Sequence, residues 1–125
     1  MIVGMGTDLI EVSRVRRSVE HYGDKFLRRV YTAAEVAYAM SKHNFAERLA
    51  GRFAVKEAAM KAIGTGWRRG VTWQDFEVVN EPGGRPILRF TGVARQVAET
   101  LGVARNSVSI THTADLAMAV VILES

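Results

Sequence analysis

The sequence predicts an α+β fold in which a mainly antiparallel sheet packs against one long helix. The chain opens with a two-residue alternation and then shows helical spacing as far as residue 63. A two-residue period returns over 71–90 and again over 106–123, with a short helical stretch between them. The resulting order is β-αααα-ββ-α-ββ, and strands and helices gathered in runs of this kind favour the α+β class.

Length and composition predict one globular domain over 1–125, with 48% apolar and 24% charged residues. A formal charge of +4 favours an anionic partner, which is a nucleic acid, a phosphorylated small molecule or an acidic protein. The absence of cysteine excludes disulfides and thiol chemistry. The longest apolar run, 116–123, is far shorter than the roughly 20 residues of a membrane span. We therefore expect a cytoplasmic protein with no membrane segment.

The first predicted strand places an acidic side chain among apolar ones. Asp8 points to the same face as Ile2 and Ile10, because successive strand residues alternate between faces. Aspartate is disfavoured inside strands. Taken alone, Asp8 after a glycine is as typical of a bulge cap as of a functional site.

Four helices are predicted after this strand. Ser13 is the expected N-cap of a short helix that Gly23 closes, and Asp24 is the expected cap of a further helix that ends at Val30.

The next two helices each begin with a cap followed by glutamate at the third position, as in a capping box. Thr32 starts a helix over 33–42, and Asn44 starts the long helix over 45–63.

The second half of the chain returns to strands. The segments 71–79 and 86–90 are joined by a turn rich in proline and glycine, which predicts a hairpin. A helical stretch then stops at Gly102, and two last strands over 106–113 and 116–123 are joined by a short hinge.

Beyond Arg52, the long helix carries three charges, Lys56, Glu57 and Lys61, on an apolar and small-residue background. Glu57 lies on the flank of an apolar arc that includes Leu49 and Phe53. An exposed Glu57–Lys61 pair would be an ordinary surface salt bridge worth about 0.3–0.5 kcal/mol. Burying an ion costs several kcal/mol unless a partner compensates. A carboxylate on the apolar side of the helix therefore needs a cation.

Asp8 and Glu57 together predict a Mg²⁺ site. Mg²⁺ prefers hard oxygen ligands, keeps several waters and is commonly completed by substrate phosphates. Lys61 beside it would neutralise charge on a phosphate. The glycine-rich segment 64–70 permits close backbone approach and adds two arginines, although Gly64 is equally typical of a helix C′ position. The segment lacks the P-loop pattern.

Four segments resemble holo-acyl-carrier-protein synthase, the family of small bacterial phosphopantetheinyl transferases. They are "GMGTDLIEVSRV", "RFAVKEAAMKAIGTG", "NEPGGRPIL" and "SITHT", and they follow one another along the whole chain. The resemblance implies transfer of the 4′-phosphopantetheine arm of coenzyme A to a serine of apo acyl carrier protein, with release of adenosine 3′,5′-bisphosphate. It implies Mg²⁺ on Asp8 and Glu57 and a phosphate contact from Lys61.

The same resemblance assigns a group of residues to the coenzyme A pocket. They are Gly64, Thr65, Gly66, Pro86, His112 and Thr113. In the family a histidine meets the adenosine 3′-phosphate, which implies this role for His112, although a lone strand histidine is more often structural. Many members have serine where this chain has Thr111, so a hydroxyl is retained. The base that takes the serine proton is either Glu57 or a metal-associated water.

The basic N-terminal helices are expected to dock the acidic acyl carrier protein. Arg14, Arg17 and Arg28 lie among apolar residues there, and an ordinary solvated face is the alternative interpretation.

The last strand predicts association of copies of the chain. Both of its faces are apolar, and only one of them can cover the long helix. The resemblance implies a homotrimer with the site between subunits.

Two other functions were weighed. A basic nucleic-acid-binding module would need aromatic platforms or a known motif, and the sequence has no RNP-like, KH-like or zinc-knuckle pattern. A non-catalytic coenzyme A or nucleotide-binding protein would not need the combination of Asp8, Glu57 and Lys61. We therefore expect an enzyme that binds no nucleic acid.

Overall fold

The predicted order of elements is confirmed in a computed structural model that describes all 125 residues, Met1–Ser125. The elements are β1 (Ile2–Glu11), α1 (Val12–Tyr22), α2 (Asp24–Val30), α3 (Ala33–Met40), α4 (Phe45–Ala62), a 3-10 turn (Trp73–Asp75), β2 (Phe76–Asn80), β3 (Pro86–Phe90), α5 (Gly92–Thr100), β4 (Arg105–His112) and β5 (Leu116–Glu124). The α+β class follows from this order. No helix among them is long and apolar enough to cross a membrane.

Two antiparallel sheets organise the fold. The larger has the strand order β1-β5-β4, and the smaller is the predicted hairpin of β2 and β3. The central strand β5 pairs with both neighbours, placing Asp8 opposite Ala119 and Ile110 opposite the same alanine. The long helix α4 packs across β1 and β5.

The contact between α4 and β1 is unusually close because β1 has glycines where it meets the helix. A Cβ atom on Gly6 would lie 1.9 Å from the carbonyl oxygen of Ala58, and one on Gly4 would lie 2.2 Å from that of Ala62. Helix and strand backbones therefore touch directly. This contact brings Asp8, two residues beyond Gly6, beside the C-terminal half of α4.

The two faces of β5 differ in burial, as the sequence predicts. The side that meets α4 is fully buried, and it consists of Ala117, Ala119, Val121 and Leu123. On the opposite side Leu116 and Met118 are each 40% exposed. The outward apolar face is therefore without cover in the single chain.

Two predicted caps in the N-terminal helices are wrong. Ser13 lies inside α1, which begins directly after β1, and the backbone N–H of Val12 donates to the carbonyl of Asp115 at 2.8 Å. A backbone partner from the sheet thus replaces the side-chain cap. Asp24 is the first helical residue of α2, and Gly23, at φ 55°, is the cap.

Of the two predicted capping boxes, the one at Thr32 is confirmed and the one at Asn44 is wrong. Glu35 N donates to Thr32 Oγ1 at 3.2 Å, and Thr32 N donates to Glu35 Oε1 at 2.8 Å. The Asn44 side chain instead accepts a hydrogen bond from Arg48 Nε at 3.0 Å, which removes it from the helix N–H groups.

The segment 71–75, predicted as the start of a strand, forms a loop and the 3-10 turn instead. Asp75 explains the difference, because its carboxylate accepts hydrogen bonds from Thr72 Oγ1 at 3.3 Å and from Ala94 N at 3.1 Å. These bonds fold the segment back on itself, and β2 begins only at Phe76.

Gly6→Ala should destabilise the protein by about 1–3 kcal/mol, because the new methyl group would meet a helix carbonyl that cannot yield without moving α4. Thermal or urea unfolding measures the loss. Gly83→Ala is the matched control, since a Cβ there has no atom within 4 Å. Equal stability of the two variants would contradict the direct backbone contact.

Candidate active site

Asp8 and Glu57 line one cleft, as the sequence predicts. The cleft has a volume of about 550 Å³ and lies between β1, α1, α4 and the 3-10 turn. Arg14 from α1 and the indoles of Trp67 and Trp73 also line it. The close contact between β1 and α4 thus places two carboxylates and several basic or aromatic groups around one opening.

Asp8 stands at the edge of the core with a lysine as its partner. Its side chain is 16% exposed, and Lys61 Nζ lies 3.3 Å from Asp8 Oδ1. The same ammonium donates to the carbonyl of Thr7 at 2.9 Å. Burial raises the pKa of the Asp8 carboxyl, the hydrogen bond and charge of Lys61 lower it, and the nearby charge of Glu57 raises it. The two carboxylates are therefore close enough to repel each other.

Lys61 pairs across the helix–strand contact rather than along its own helix. The surface Glu57–Lys61 pair considered from the sequence is not formed, because the lysine bonds to Asp8 and Thr7 of β1. Its side chain is 58% exposed. An exposed ammonium at the rim of the cleft can reach an incoming anion.

Glu57 is held by two tryptophans. Trp67 Nε1 and Trp73 Nε1 each donate to Glu57 Oε2 at 3.1 Å. The two indole rings meet edge to face, with their centroids 4.7 Å apart. The other oxygen, Oε1, makes no hydrogen bond within the protein. One carboxylate oxygen is thereby anchored while the other is left for a further ligand.

These tryptophans were not predicted as site residues. The sequence predicts a glycine-rich basic loop over 64–70 and a strand over 71–79, and neither prediction places an indole near Glu57. One feature of the sequence does point to an indole at the site. Trp67 lies in a glycine-rich turn directly after the helix that carries Glu57.

The residues of the cleft fit a Mg²⁺ ion. Nowhere in the chain do three or more His, Cys, Asp or Glu side chains cluster as metal ligands, so the protein offers the Asp8 and Glu57 carboxylates alone. Mg²⁺ is commonly held by one or two carboxylates together with water and substrate phosphates, whereas a closed zinc site needs four protein ligands. The donor set therefore suits Mg²⁺ with an anionic substrate.

Pro86 and His112 lie in a different cavity, of about 160 Å³, that shares no lining residue with the acidic cleft. Arg48 and Arg52 of α4 line this second cavity too. A single chain therefore does not bring His112 together with Asp8 and Glu57.

Arg52 is the most unusual side chain of the second cavity. The residue is 4% exposed, and its guanidinium lies 4.4 Å from the centroid of the Tyr38 ring. One nitrogen, Nη2, donates to Asn80 Oδ1, but the buried Nε has no hydrogen-bond partner. Sequence reasoning missed Arg48 and Arg52, although their spacing of four residues places both on one side of the helix.

The Gly64–Gly66 turn closes α4. Gly64 has φ 79°, and the N–H groups of Thr65 and Gly66 donate to the carbonyl of Met60 at 3.2 and 3.3 Å. This geometry confirms the C′ interpretation of Gly64. Thr113 is engaged in the turn between β4 and β5, where its Oγ1 accepts from Asp115 N and Leu116 N, each at 3.1 Å. That the 64–66 turn and Thr113 contact coenzyme A stays a prediction.

The predicted docking arginines surround the mouth of the cleft. Arg14 and Arg17 line a surface groove of about 540 Å³ along α1, and Arg14 also borders the acidic cleft. Arg28 lines a neighbouring cavity of about 510 Å³ together with Trp67 and Trp73. The basic surface is thus continuous with the site of the two carboxylates.

The fold and the cleft define a small α+β protein whose paired carboxylates, lysine and basic rim suit a metal ion and a phosphorylated substrate. The model of the 4′-phosphopantetheinyl transferase superfamily matches residues 4–121. A holo-acyl-carrier-protein synthase of Solibacter usitatus (strain Ellin6076) is 62% identical over the whole of both chains.

Solved structures agree with these matches. The crystal structure of the holo-acyl-carrier-protein synthase from Neisseria meningitidis superposes with a TM-score of 0.89 at 33% identity, covering 100% of both chains. That of the Bacillus anthracis synthase in complex with CoA (3′,5′-ADP) gives 0.81 at 38% identity, covering 100% of this chain and 98% of the other. The protein belongs to the 4′-phosphopantetheinyl transferase superfamily.

Proposed function

We propose that this protein transfers the 4′-phosphopantetheine group of coenzyme A to a serine of apo acyl carrier protein. The products are holo acyl carrier protein and adenosine 3′,5′-bisphosphate. The observation that carries the proposal is the convergence of Asp8, Glu57 and Lys61 at one cleft, in a chain that is 62% identical to a holo-acyl-carrier-protein synthase along its whole length. The coenzyme bound in the structure of the Bacillus anthracis relative supports coenzyme A as the donor.

The reaction is a phosphoryl transfer with little covalent work for the protein. The serine oxygen forms a bond to the phosphorus that carries pantetheine, and the bond from that phosphorus to the oxygen of the adenosine 5′-phosphate breaks. The leaving bisphosphate takes the electron pair. The serine proton passes to Glu57 or to a water molecule.

Mg²⁺ is proposed as the cofactor, with Asp8 and Glu57 as its protein ligands. When bound, it would offset the negative charge of the diphosphate. Glu57 offers its unbonded Oε1, because Oε2 is anchored by the two indoles. Lys61 is close enough to Asp8 to balance part of its charge, and exposed enough to contact the leaving phosphate.

The second cavity is proposed to hold the adenosine 3′-phosphate. Arg48, Arg52 and His112 line it. The unpartnered Nε of Arg52 is a buried donor that an anionic oxygen would satisfy. Since this cavity and the acidic cleft are separate within one chain, the coenzyme would extend from the cleft of one subunit to the second cavity of another.

A homotrimer is proposed to join the two cavities. On the outward face of the sheet β1 and β5 present apolar side chains, with Leu9 62%, Met5 59% and Met118 40% exposed. Packing three such faces together would remove them from water and enclose a site between subunits. The number three comes from the family resemblance.

The acidic acyl carrier protein is proposed to dock on Arg14, Arg17 and Arg28. The groove of Arg14 and Arg17 adjoins the acidic cleft at Arg14, so a carrier bound there would present its serine to the diphosphate. Arginine pairs with carboxylates through two parallel hydrogen bonds, which gives register as well as attraction.

The transfer itself is tested by the mass of apo acyl carrier protein incubated with this protein, coenzyme A and Mg²⁺. A gain of one phosphopantetheine is expected, and EDTA should abolish it. Asp8→Ala and Glu57→Ala should each remove nearly all of the gain, with only partial rescue by extra Mg²⁺. Glu99→Ala is the control, because the Glu99 side chain is 65% exposed on α5. Full activity of both cleft variants would show that the metal site is misassigned.

Carrier docking is tested by reversing a charge on α1. Arg17→Glu should raise the KM for acyl carrier protein several-fold while changing that for coenzyme A little, and added salt should have the same effect on the wild type. Arg95→Glu, whose arginine side chain is 68% exposed on α5, is the matched control. An equal change in both KM values would refute docking on this groove.

Assembly is tested by sedimentation equilibrium at micromolar concentration, where we expect a trimer. Val120→Asp and Ile122→Asp place a charge on the outward face of β5 and should remove association and transfer activity together. Leu101→Asp is the control, because Leu101 is an apolar residue 41% exposed at the end of α5 and belongs to none of the three strands. A fully active monomer would rule out the shared site.

A further inference from the structure

A buried ion pair beside the cleft has no part in the proposed chemistry. Lys56 Nζ lies 2.7 Å from Glu35 Oε1, and both side chains are 0% exposed. Removing two ions from water costs several kcal/mol each, and their attraction offsets that only when every remaining donor and acceptor is satisfied. Such a pair therefore needs an explanation beyond the attraction of its charges.

Lys56 uses all three of its N–H donors. Besides Glu35, its ammonium donates to the carbonyl of Phe76 at 2.6 Å and to that of Trp73 at 3.1 Å. The Trp73 carbonyl belongs to the 3-10 turn, and the Phe76 carbonyl belongs to the first residue of β2.

Glu35 is equally well satisfied. Its Oε1 also accepts from Thr32 N at 2.8 Å, and its Oε2 accepts from Val78 N at 2.8 Å. The pair therefore ties α3 and α4 to the segment that contains Trp73. A methionine in place of Lys56 would fill the space but would remove the lysine donor from both carbonyls, and the Trp73 carbonyl would keep only its bond from the backbone N–H of Phe76.

Trp73 connects this pair to the acidic cleft. Lys56 holds its carbonyl, and its indole Nε1 donates to Glu57 Oε2 at 3.1 Å. Lys56 and Glu57 are adjacent on α4 and point about 100° apart. Two adjacent residues of α4 therefore bind Trp73. Lys56 bonds to its main-chain carbonyl, and Glu57 bonds to its indole N–H.

We propose that Lys56, together with Glu35, is a positioning residue that fixes the main chain at Trp73, so that the Trp73 indole holds Glu57 Oε2 and leaves Oε1 facing the cleft. The proposal rests on the proposed function for its kinetic consequence. Its structural consequence requires neither metal nor transfer activity.

The structural consequence is tested by nuclear magnetic resonance on the metal-free protein. The chain has two tryptophans, hence two indole N–H signals, and Trp73→Phe identifies which one belongs to Trp73. The variant Lys56→Met with Glu35→Gln removes both buried charges without leaving one unpaired. It should shift the Trp73 indole signal in the direction that Glu57→Gln shifts it. Should that variant not fold, Lys56→Gln with Glu35→Gln retains two N–H donors at position 56 without a buried charge and is expected to give a smaller shift.

Tyr31→Phe is the matched control. Tyr31 is 2% exposed in the same core, and its hydroxyl donates to the carbonyl of Leu49 at 2.8 Å, so the bond that is lost involves neither Trp73 nor Glu57. The control loses a buried hydrogen bond and should leave the indole signal unchanged. A folded charge-free variant with an unchanged Trp73 signal would overturn the proposal.

The kinetic consequence is tested by a double-mutant cycle with Trp73→Phe. The charge-free variant should raise the KM for Mg²⁺ by about 10–100-fold, as loss of an outer-shell contact to a metal ligand commonly does, and leave the KM for coenzyme A unchanged when it is measured at saturating Mg²⁺. Combining it with Trp73→Phe should add little further loss, because both changes remove the same hydrogen bond, from Trp73 Nε1 to Glu57 Oε2. If the loss in the combined variant equalled the product of the two separate losses, the proposal would be overturned. Absence of transfer by the wild type would instead refute the proposed function, and the indole signals would still decide the role of Lys56.

Discussion

The direct contact between the backbones of β1 and α4 determines where the functional groups stand. Two glycines of β1 let the strand approach the helix so closely that a Cβ on Gly6 would overlap a helix carbonyl. Asp8 follows on the same face of the strand, and Glu57 and Lys61 lie on the part of α4 that this contact brings near. A side chain at position 6 would move β1 away from α4 and separate the two carboxylates. The site therefore depends on having glycine at this position.

The opposite flank of α4 is fixed by polar contacts rather than by close packing. Lys56 donates to three oxygens on α3, the 3-10 turn and β2, all within the core. Hydrogen bonds are directional, whereas an apolar contact would let the turn slide. One helix thus uses small residues to approach β1 and a buried charge to set the position of Trp73. Glu57 lies between these two constraints.

The difference between these constraints explains what the sequence could predict. Alternation and helical spacing report which face of an element is buried, and they identified the order of elements, Asp8 on the inward face of β1 and Glu57 on the long helix. Caps depend on competing partners, so Asn44 was predicted as a cap although Arg48 takes its side chain. Glu35, the partner of Lys56, lies 21 positions away in the sequence, and no local pattern predicts a pair at that separation. The second cavity was hidden for the same reason, since it combines α4 with the β2–β3 hairpin and β4.

The distribution of charge links the metal to the coenzyme. The chain carries a net charge of +4, yet the cleft concentrates two carboxylates, and burial, with a smaller contribution from the charge of Glu57, raises the pKa of Asp8. A diphosphate entering this cleft alone would meet like charge, while its adenosine end would be attracted to the arginines of the second cavity. A divalent cation held by the two carboxylates would reverse the local sign. Under the proposed function, metal and coenzyme therefore favour each other's binding, because each supplies the charge that the other lacks. Lys61 is too exposed and too closely paired with Asp8 to replace the cation by itself.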